Sequence, residues 1–475
     1  MFFKRIYLNY DLLNILSYNF IVYYIIKMER REFIKQSTLF SIGGLLIPSL
    51  CLSSCRNELL FKDLKFNGKV IIIGAGAAGL YAGYILKSKG IDFQILEASS
   101  NYGGRIGKLS GFANFPLDTG AEWLHGKNSI AGELASRSGA KITLDNSDEK
   151  YWFKNQIVSS LPKDINAIFS REKNLPDISF KDFAIQEGFG NEYKNIVEGI
   201  AGDSGAAASR ISAYWKIKEE ENWISGDDDF KFEETYFDLI DSQIVSKIQN
   251  NIQLNTIVKK INYTDSTIEI TDSFNNTFKA DKVIITVPIT ILKSNAIEFI
   301  PSLPLDKTNA FSKIGMDAGM KVFLKFNNKF FDQNIIGGST SASYSDESIG
   351  KLQDDNVLLA FIMGEQAEYL NSLGSDIEIK NALLQELDSM YNGQASASLI
   401  SYYVQNWTTN PFIKGAYSYS TIGMGNAREI SAQSINKKIY FAGEAMNLNG
   451  HHQTVHGAME TGYREVINIL KDINK

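Results

Sequence analysis

Lys69-Val70-Ile71-Ile72-Ile73-Gly74-Ala75-Gly76-Ala77-Ala78-Gly79 is the stretch that decides how this chain folds. Its first five residues are an apolar, β-branched run of the kind that forms a buried strand. A glycine-rich turn follows. Ala77–Lys89 then carries helical spacing that stops at Gly90, and Asp92–Leu96 reads as a second strand with Glu97 at its end. The predicted unit is β-α-β. Within it, Gly74, Gly76 and Gly79 have the spacing of a turn that seats the diphosphate of a dinucleotide. The first glycine permits the tight bend, the second lets the backbone approach the ligand, and the third lets helix pack on strand. The diphosphate would rest on the free N–H groups and positive end of the helix starting near Ala77. Glu97, 18 residues beyond Gly79, offers a carboxylate to the adenosine ribose hydroxyls and disfavours a 2′-phosphate. A structural glycine turn has the same three-glycine pattern; the strand before it and the helix after it give the dinucleotide reading its weight. Physics alone leaves FAD and NAD open here.

Further along come Gly103-Gly104-Arg105 and Asp118-Thr119-Gly120-Ala121-Glu122-Trp123-Leu124-His125-Gly126. Near the other end stand Tyr440-Phe441-Ala442-Gly443-Glu444 and Thr454-Val455-His456-Gly457-Ala458. In this order they resemble the flavin-containing amine oxidase family, most closely its polyamine oxidase branch, over about Lys69 to Arg464. The resemblance implies FAD as cofactor. It also implies an α/β fold in which a discontinuous, Rossmann-like FAD-binding domain carries an inserted mixed α+β substrate domain. Carried over by position, Gly74, Gly76, Ala77, Gly79 and Gly104 would line the cofactor, and Glu97 would hold the ribose. Arg105 would lie near the diphosphate and flavin, and Val258 would meet the adenine through its backbone. Gly443 and Glu444 would reach the ribityl–diphosphate region, and the Val455 N–H would face the flavin pyrimidine edge. Thr454 is a plausible N-cap there, and a helix N-terminus stabilises negative charge on a reduced flavin.

The chemistry implied is oxidation of a C–N bond. Hydride passes from the carbon beside an amine to flavin N5, the imine hydrolyses, and O2 takes the electrons to give H2O2. The cofactor carries this chemistry, so the protein needs a shaped, dry pocket and no nucleophile. Lys321, in Gly319-Met320-Lys321-Val322-Phe323-Leu324-Lys325-Phe326, matches the family lysine that reaches N5 through a water. The run alternates as a strand, with Lys321, Phe323 and Lys325 on one face. By pattern alone, two lysines on a face describe a solvated surface; motif position singles out Lys321 as catalytic and leaves Lys325 as surface. Trp407, Pro411, Gly415, Ala416 and Tyr417 resemble the family's substrate-side segment. Ala416 stands where monoamine oxidases have the cysteine that bonds flavin, so the FAD is expected to be non-covalent. Tyr417 matches one wall of their aromatic cage, but Thr454 replaces the second. His125 matches a pocket-facing position. His452 and His456, spaced i, i+4 with His451 beside them, raise a metal site, but no further ligand or supporting partner is evident, and none is assigned. His456 is read as part of the flavin-site loop. One departure from the family is Phe232-Glu233-Glu234-Thr235-Tyr236, where many members have a glycine pair.

Two other readings share these motifs. An L-amino acid oxidase would need an arginine for the substrate carboxylate, and none stands out. A carotenoid-type desaturase would lack a lysine matching Lys321. A third reading, from another class, is a catalytically silent flavin-binding surface lipoprotein.

Net charge is −6, which gives no basic surface for nucleic acid. The two cysteines, Cys51 and Cys55, both lie near the N-terminus, so the body has no disulfide or thiolate metal site. Residues 1–55 read as a leader. Asn9, Asp11, Asn14 and Asn19 interrupt residues 1–27, a poor span and a possible mis-start ahead of Met28. Residues 28–54 have the order of a signal peptide, Arg30-Arg31 resembles a twin-arginine signal, and Leu52-Ser53-Ser54-Cys55 resembles a lipoprotein box. The expectation is an exported protein, periplasmic or anchored to the membrane through lipid on Cys55. The expected organisation alternates FAD-binding segments at 66–145, 250–300 and 425–475 with substrate-domain segments at 146–249 and 301–424. The acidic clusters Glu219–Glu221 and Asp227–Asp229 read as solvated.

Overall fold

The structure, a computed structural model, describes residues 66–170 and 175–473; the leader and its two cysteines lie outside them. The elements that build the site are, in chain order, β1 (Lys69–Ile73), α1 (Ala77–Ser88), β2 (Asp92–Leu96), β3 (Trp123–His125), α2 (Ala213–Glu221), β4 (Asp229–Phe232), β5 (Ile252–Gln253), β6 (Lys282–Ile285), β7 (Gly319–Phe326), β8 (Val357–Met363), β9 (Leu399–Asn406), β10 (Ile439–Phe441) and α3 (Val455–Ile473).

Five strands form an all-parallel sheet in the order β5-β2-β1-β6-β10, so three stretches far apart in sequence build one nucleotide-binding layer. Parallel sheets are covered on both faces, which is why β1 is apolar at nearly every position. Alternation sends Val70 and Ile72 into a cluster with Leu80, Ile85 and Leu86 of α1 and Val466 and Ile469 of α3. Ile71 and Ile73 face the other way, into a cluster with Val283, Ile285, Ile261 and Ile270. This is the expected Rossmann-like α/β layer.

The composition of Ile252–Ile261 reads as one strand, but the run forms two. β5 ends at Gln253 and pairs with β2, while Val258–Asn262 belongs to a separate four-stranded sheet. Asn255 between them sits at φ +56°, a left-handed turn that asparagine tolerates better than most residues. The crossing chain is clamped by Glu97: its N–H donates to Gln253 O (2.9 Å), and its O accepts from Thr256 N (2.8 Å).

The second large layer is a seven-stranded sheet that starts at one edge with β9-β7-β8 and continues through strands from 334–346 and 149–158. One face of β7, with Met320, Val322, Leu324 and Phe326, packs into a cluster with Leu383 and Leu387. Phe323, on the other face, packs with Phe115 and Leu117. Both faces of β7 are therefore buried, and the solvated face that its lysines might have marked does not exist. Lys325 itself is not free surface: its side chain is 22% exposed and pairs with Asp355 (2.8 Å). No helix among the described residues is long and apolar enough to cross a membrane.

Candidate active site

The glycine turn is shaped as its spacing requires. Gly74 has φ +109°, open to glycine and strained for any side chain. A Cβ on Gly79 would lie 2.0 Å from Gly74 O, so the third glycine lets the first turn of α1 close on the loop. Gly79 is thus underneath the site, not on its wall. A Cβ on Gly76 would meet no protein atom within 4 Å. It would project into a cavity of about 1060 Å³. That volume exceeds the usual range of small-ligand pockets.

Fifteen of the sixteen residues expected in the site line this one cavity, Gly79 being the exception. At the nucleotide end, the buried Glu97 carboxylate accepts from Ala75 N (2.6 Å) and Ser99 N (2.8 Å), one to each oxygen. It braces the glycine turn and keeps a lone pair on each oxygen. Burial raises its pKa against these bonds. Arg105 donates from Nη1 to Ala416 O (2.7 Å) and Glu444 Oε1 (3.1 Å). Glu444 also accepts from Ser418 Oγ (2.7 Å) and Gln453 N (3.0 Å). Burial pushes its pKa up, but the Arg105 charge and these donors outweigh burial and hold it below the ordinary range. Its oxygens are committed inside the protein, so Glu444 fixes Arg105 and the approach to α3. Thr454 Oγ1 accepts from Gly457 N (2.9 Å), capping α3 as expected.

At the far end, Trp407 is held by Nε1–H donation to Thr119 O (3.0 Å) and Tyr417 by hydroxyl donation to Asp203 O (3.0 Å) and Gly202 O (3.2 Å). His125 pairs through Nδ1 with Asp229 (2.8 Å) and meets Trp223 edge-on. The Lys321 side chain is buried, and its Nζ donates to Glu122 Oε2 (2.7 Å) and Asp118 O (3.0 Å). Val258 and Val455 also border the cavity.

Three expectations are corrected. Glu219 is not solvated: its side chain is 17% exposed, pairs with His452 (3.0 Å), accepts from the Ser420 hydroxyl and borders the cavity. The histidines do not meet as the i, i+4 pair. α3 begins only at Val455, so His452 precedes it and turns to Glu219, while the His451 and His456 rings meet edge-on with centroids 4.9 Å apart. His456 does not line the cavity; it lies behind it, with Ser225 Oγ 3.1 Å from Nε2 and Trp223 against both rings. His451, His456 and Glu460 offer ligand atoms within 4.8 Å of one another, but His451 Nδ1 is already bonded to Glu460 (2.8 Å).

Burial, and then the His451 charge, push His456 down to about 3. The unfolded chain takes this proton near pH 6.5 and the folded chain refuses it, so stability is lost as pH falls from about 6.5 toward 3. His456→Asn should therefore flatten the acid side of a melting-temperature profile relative to wild type, by up to about 1.4 kcal/mol per pH unit. Parallel profiles would show that His456 titrates normally.

Residues that the sequence did not single out complete the site. Glu122, which also borders the cavity, pairs with Lys321 and Lys231, Lys231 lies 3.8 Å from Glu347, and Asp203, Lys216 and Trp223 border the same cavity. Glu122 lay inside a quoted motif, but its buried partners come from distant strands.

The family model for flavin containing amine oxidoreductases matches residues 77–234 and 237–470. The chain belongs to this family. Lysine-specific histone demethylase 2 of Homo sapiens is 27% identical over 469 residues, covering 90% of this chain and 56% of that protein. The chain thus spans little more than half of that relative. Probable polyamine oxidase 4 of Arabidopsis thaliana is 25% identical over 447 residues, covering 86% of this chain and 88% of that one. A putrescine oxidase solved with putrescine bound has a TM-score of 0.72 at 20% identity, covering 86% of this chain and 99% of that chain, a likeness of fold. The flavin of this amine oxidoreductase is FAD, and the residues present fit it. A glycine opens where a diphosphate must approach, the N-terminus of α1 borders the cavity, and Glu97 closes its nucleotide end. Ala416, buried where a thiol would be needed, offers only a methyl group.

Proposed function

We propose that this flavoenzyme oxidises a small aliphatic amine of the polyamine class at the carbon beside nitrogen, with O2 as final acceptor and H2O2 as product. One observation carries the reading: a single cavity runs from the glycine turn and Glu97 to Lys321, Trp407 and Tyr417. FAD, when bound, supplies the hydride acceptor and the route of electrons to O2. The chain's own residues orient, exclude water and place charge. Gly76 and the first N–H groups of α1 would take the diphosphate, Glu97 the ribose and Arg105 the region between diphosphate and flavin. The Val455 N–H would lie at the pyrimidine edge. Trp407 and Tyr417, each fixed by a hydrogen bond to backbone, would wall the substrate. The Lys321 ammonium would hold a water in the dry end of the cavity and favour oxygen activation by its charge. Asp203 borders the cavity beside Tyr417, whose hydroxyl donates to its backbone O, and its carboxylate would favour a cationic amine there. The names of the putrescine-bound structure and the plant relative support this substrate class.

The test is peroxide release from FAD-loaded protein with putrescine, spermidine, spermine, acetylated polyamines, benzylamine and L-amino acids. The expected result is turnover of at least one di- or polyamine above benzylamine and above every amino acid. Turnover of amino acids alone, or of nothing, would overturn the reading. Acid should release the whole of the FAD from the polypeptide; flavin retained on the denatured chain would contradict non-covalent binding.

We propose further that the protein is exported folded and lipid-anchored, on the strength of Arg30-Arg31 and Leu52-Ser53-Ser54-Cys55. Arg30→Lys with Arg31→Lys should leave precursor in the cytoplasm, and Cys55→Ala should abolish lipid labelling. Unchanged fractionation and labelling would refute the anchor.

A further inference from the structure

Behind Lys321 lies a group of buried charges that the proposed reaction does not use. Glu122 immediately precedes β3, Lys321 lies on β7, Lys231 on β4, and Glu347 follows the strand Ser343–Asp346. β3 and β4 are antiparallel neighbours with Trp123 opposite Lys231, which brings Lys231 beside Glu122. The Glu122 carboxylate bridges two ammonium groups. Oε2 accepts from Lys321 Nζ and Oε1 pairs with Lys231 Nζ, each at 2.7 Å. Lys231 Nζ continues to Glu347 Oε1 at 3.8 Å. All four side chains are no more than 4% exposed. The Trp123 ring lies near both lysines, its centroid 4.9 Å from Lys231 Nζ and 5.6 Å from Lys321 Nζ.

An ammonium has three N–H donors. Lys321 directs one to Glu122 and one to Asp118 O, so two of its three donors are fixed by the protein and the third remains for the cavity that Lys321 lines. Burial alone drives an ammonium toward its neutral form, and a contacting carboxylate opposes this.

We propose that Glu122 is the positioning residue that fixes Lys321 and turns its third N–H into the cavity, with Lys231 holding the other oxygen of the Glu122 carboxylate in place. Glu122 stays ionised in this setting: burial raises its pKa, but the charges of Lys231 and Lys321 outweigh burial and hold it at about 2. The inference rests on the role proposed above for Lys321. It adds that this role depends on where the Glu122 carboxylate lies as well as on its charge.

Two variants separate position from charge. Glu122→Asp keeps the charge and draws the carboxylate back by one methylene. Glu122→Gln with Lys231→Met removes one anion and one cation together, so the net buried charge is unchanged. Three measurements on each are the melting temperature of the apoprotein, the visible spectrum of the FAD-loaded protein, and the separate rates of its anaerobic amine-driven and oxygen-driven half-reactions. Glu122→Asp should melt close to wild type, and both variants should show shifted flavin bands. Their oxygen-driven rate should fall at least about tenfold, the scale of a displaced electrostatic group, with a smaller change in the amine-driven rate. A wild-type spectrum and oxygen-driven rate in either variant would overturn the proposal and leave Glu122 as a counter-charge only. Lys321→Met, measured alongside, separates the two claims. If it matches wild type, the role of Lys321 itself fails; if it alone is slow while the Glu122 variants are normal, only the positioning by Glu122 fails.

Discussion

Lys321→Met should slow the oxygen-driven half-reaction by roughly 10²–10³-fold, the scale for losing one preorganised charged donor in a water-excluded site. Methionine keeps most of the stem and removes the charge and all three donors. The variant should still fold and bind FAD. Glu122 retains Lys231 at 2.7 Å when Lys321 is gone, so the deletion does not strand a carboxylate. The residues assigned to diphosphate and ribose lie elsewhere on the cavity wall. The amine-driven half-reaction should change less, since Trp407 and Tyr417, the walls proposed for the substrate, are held by backbone carbonyls that Lys321 does not touch. Lys325→Met is the matched control: it lies on the same face of β7 but pairs with Asp355 and does not border the cavity. Its two rates should stay near wild type. Stopped-flow traces in which all three proteins agree would remove Lys321 from the reaction.

Gly76→Val should give folded protein that is nearly colourless. The structure makes this prediction sharper than the spacing of the glycines does. No protein atom lies within 4 Å of a Cβ placed on Gly76, so the side chain has room in the fold itself and intrudes only where the diphosphate would sit. Gly79 gives the contrast. A Cβ there would strike Gly74 O at 2.0 Å, and substitution should damage folding along with binding. The apoprotein melting temperature of Gly76→Val should stay within a few degrees of wild type while FAD occupancy falls by at least about tenfold, the effect of one clash in a pre-formed site. Normal occupancy would refute the placement of the dinucleotide.

The β-α-β unit was legible because its signals are local. β1, the turn, α1 and β2 need no information beyond about thirty consecutive residues, and all four lie within a residue of where the pattern puts them. The long final helix and its Thr454 cap were legible for the same reason. What could not be read depends on contacts between distant segments. The β-branched run through Ile252–Ile261 continues across Asn255 without a break in composition, so nothing local marks the passage from one sheet to another. Lys325 and Glu219 look like surface charges because a lysine or glutamate reads the same whether it meets water or a buried partner. Their partners, Asp355 and His452, come from other elements. Glu122 is the clearest case. It stands inside the Asp118–Gly126 motif, yet its buried partners are Lys321, 199 residues away, and Lys231 across a strand pair. The histidines failed differently: the i, i+4 rule holds only inside a helix, and His452 precedes the helix that contains His456.

One cavity is proposed to hold FAD beside an amine. The most direct test is to add putrescine or spermidine to the FAD-loaded protein without oxygen and follow the visible flavin absorbance, then admit air and measure peroxide. At least one of these amines, added at one equivalent per FAD, should bleach the yellow colour, and air should restore it with one H2O2 formed per FAD. A flavin that stays yellow with every di- and polyamine, in protein shown to be fully loaded, would contradict it.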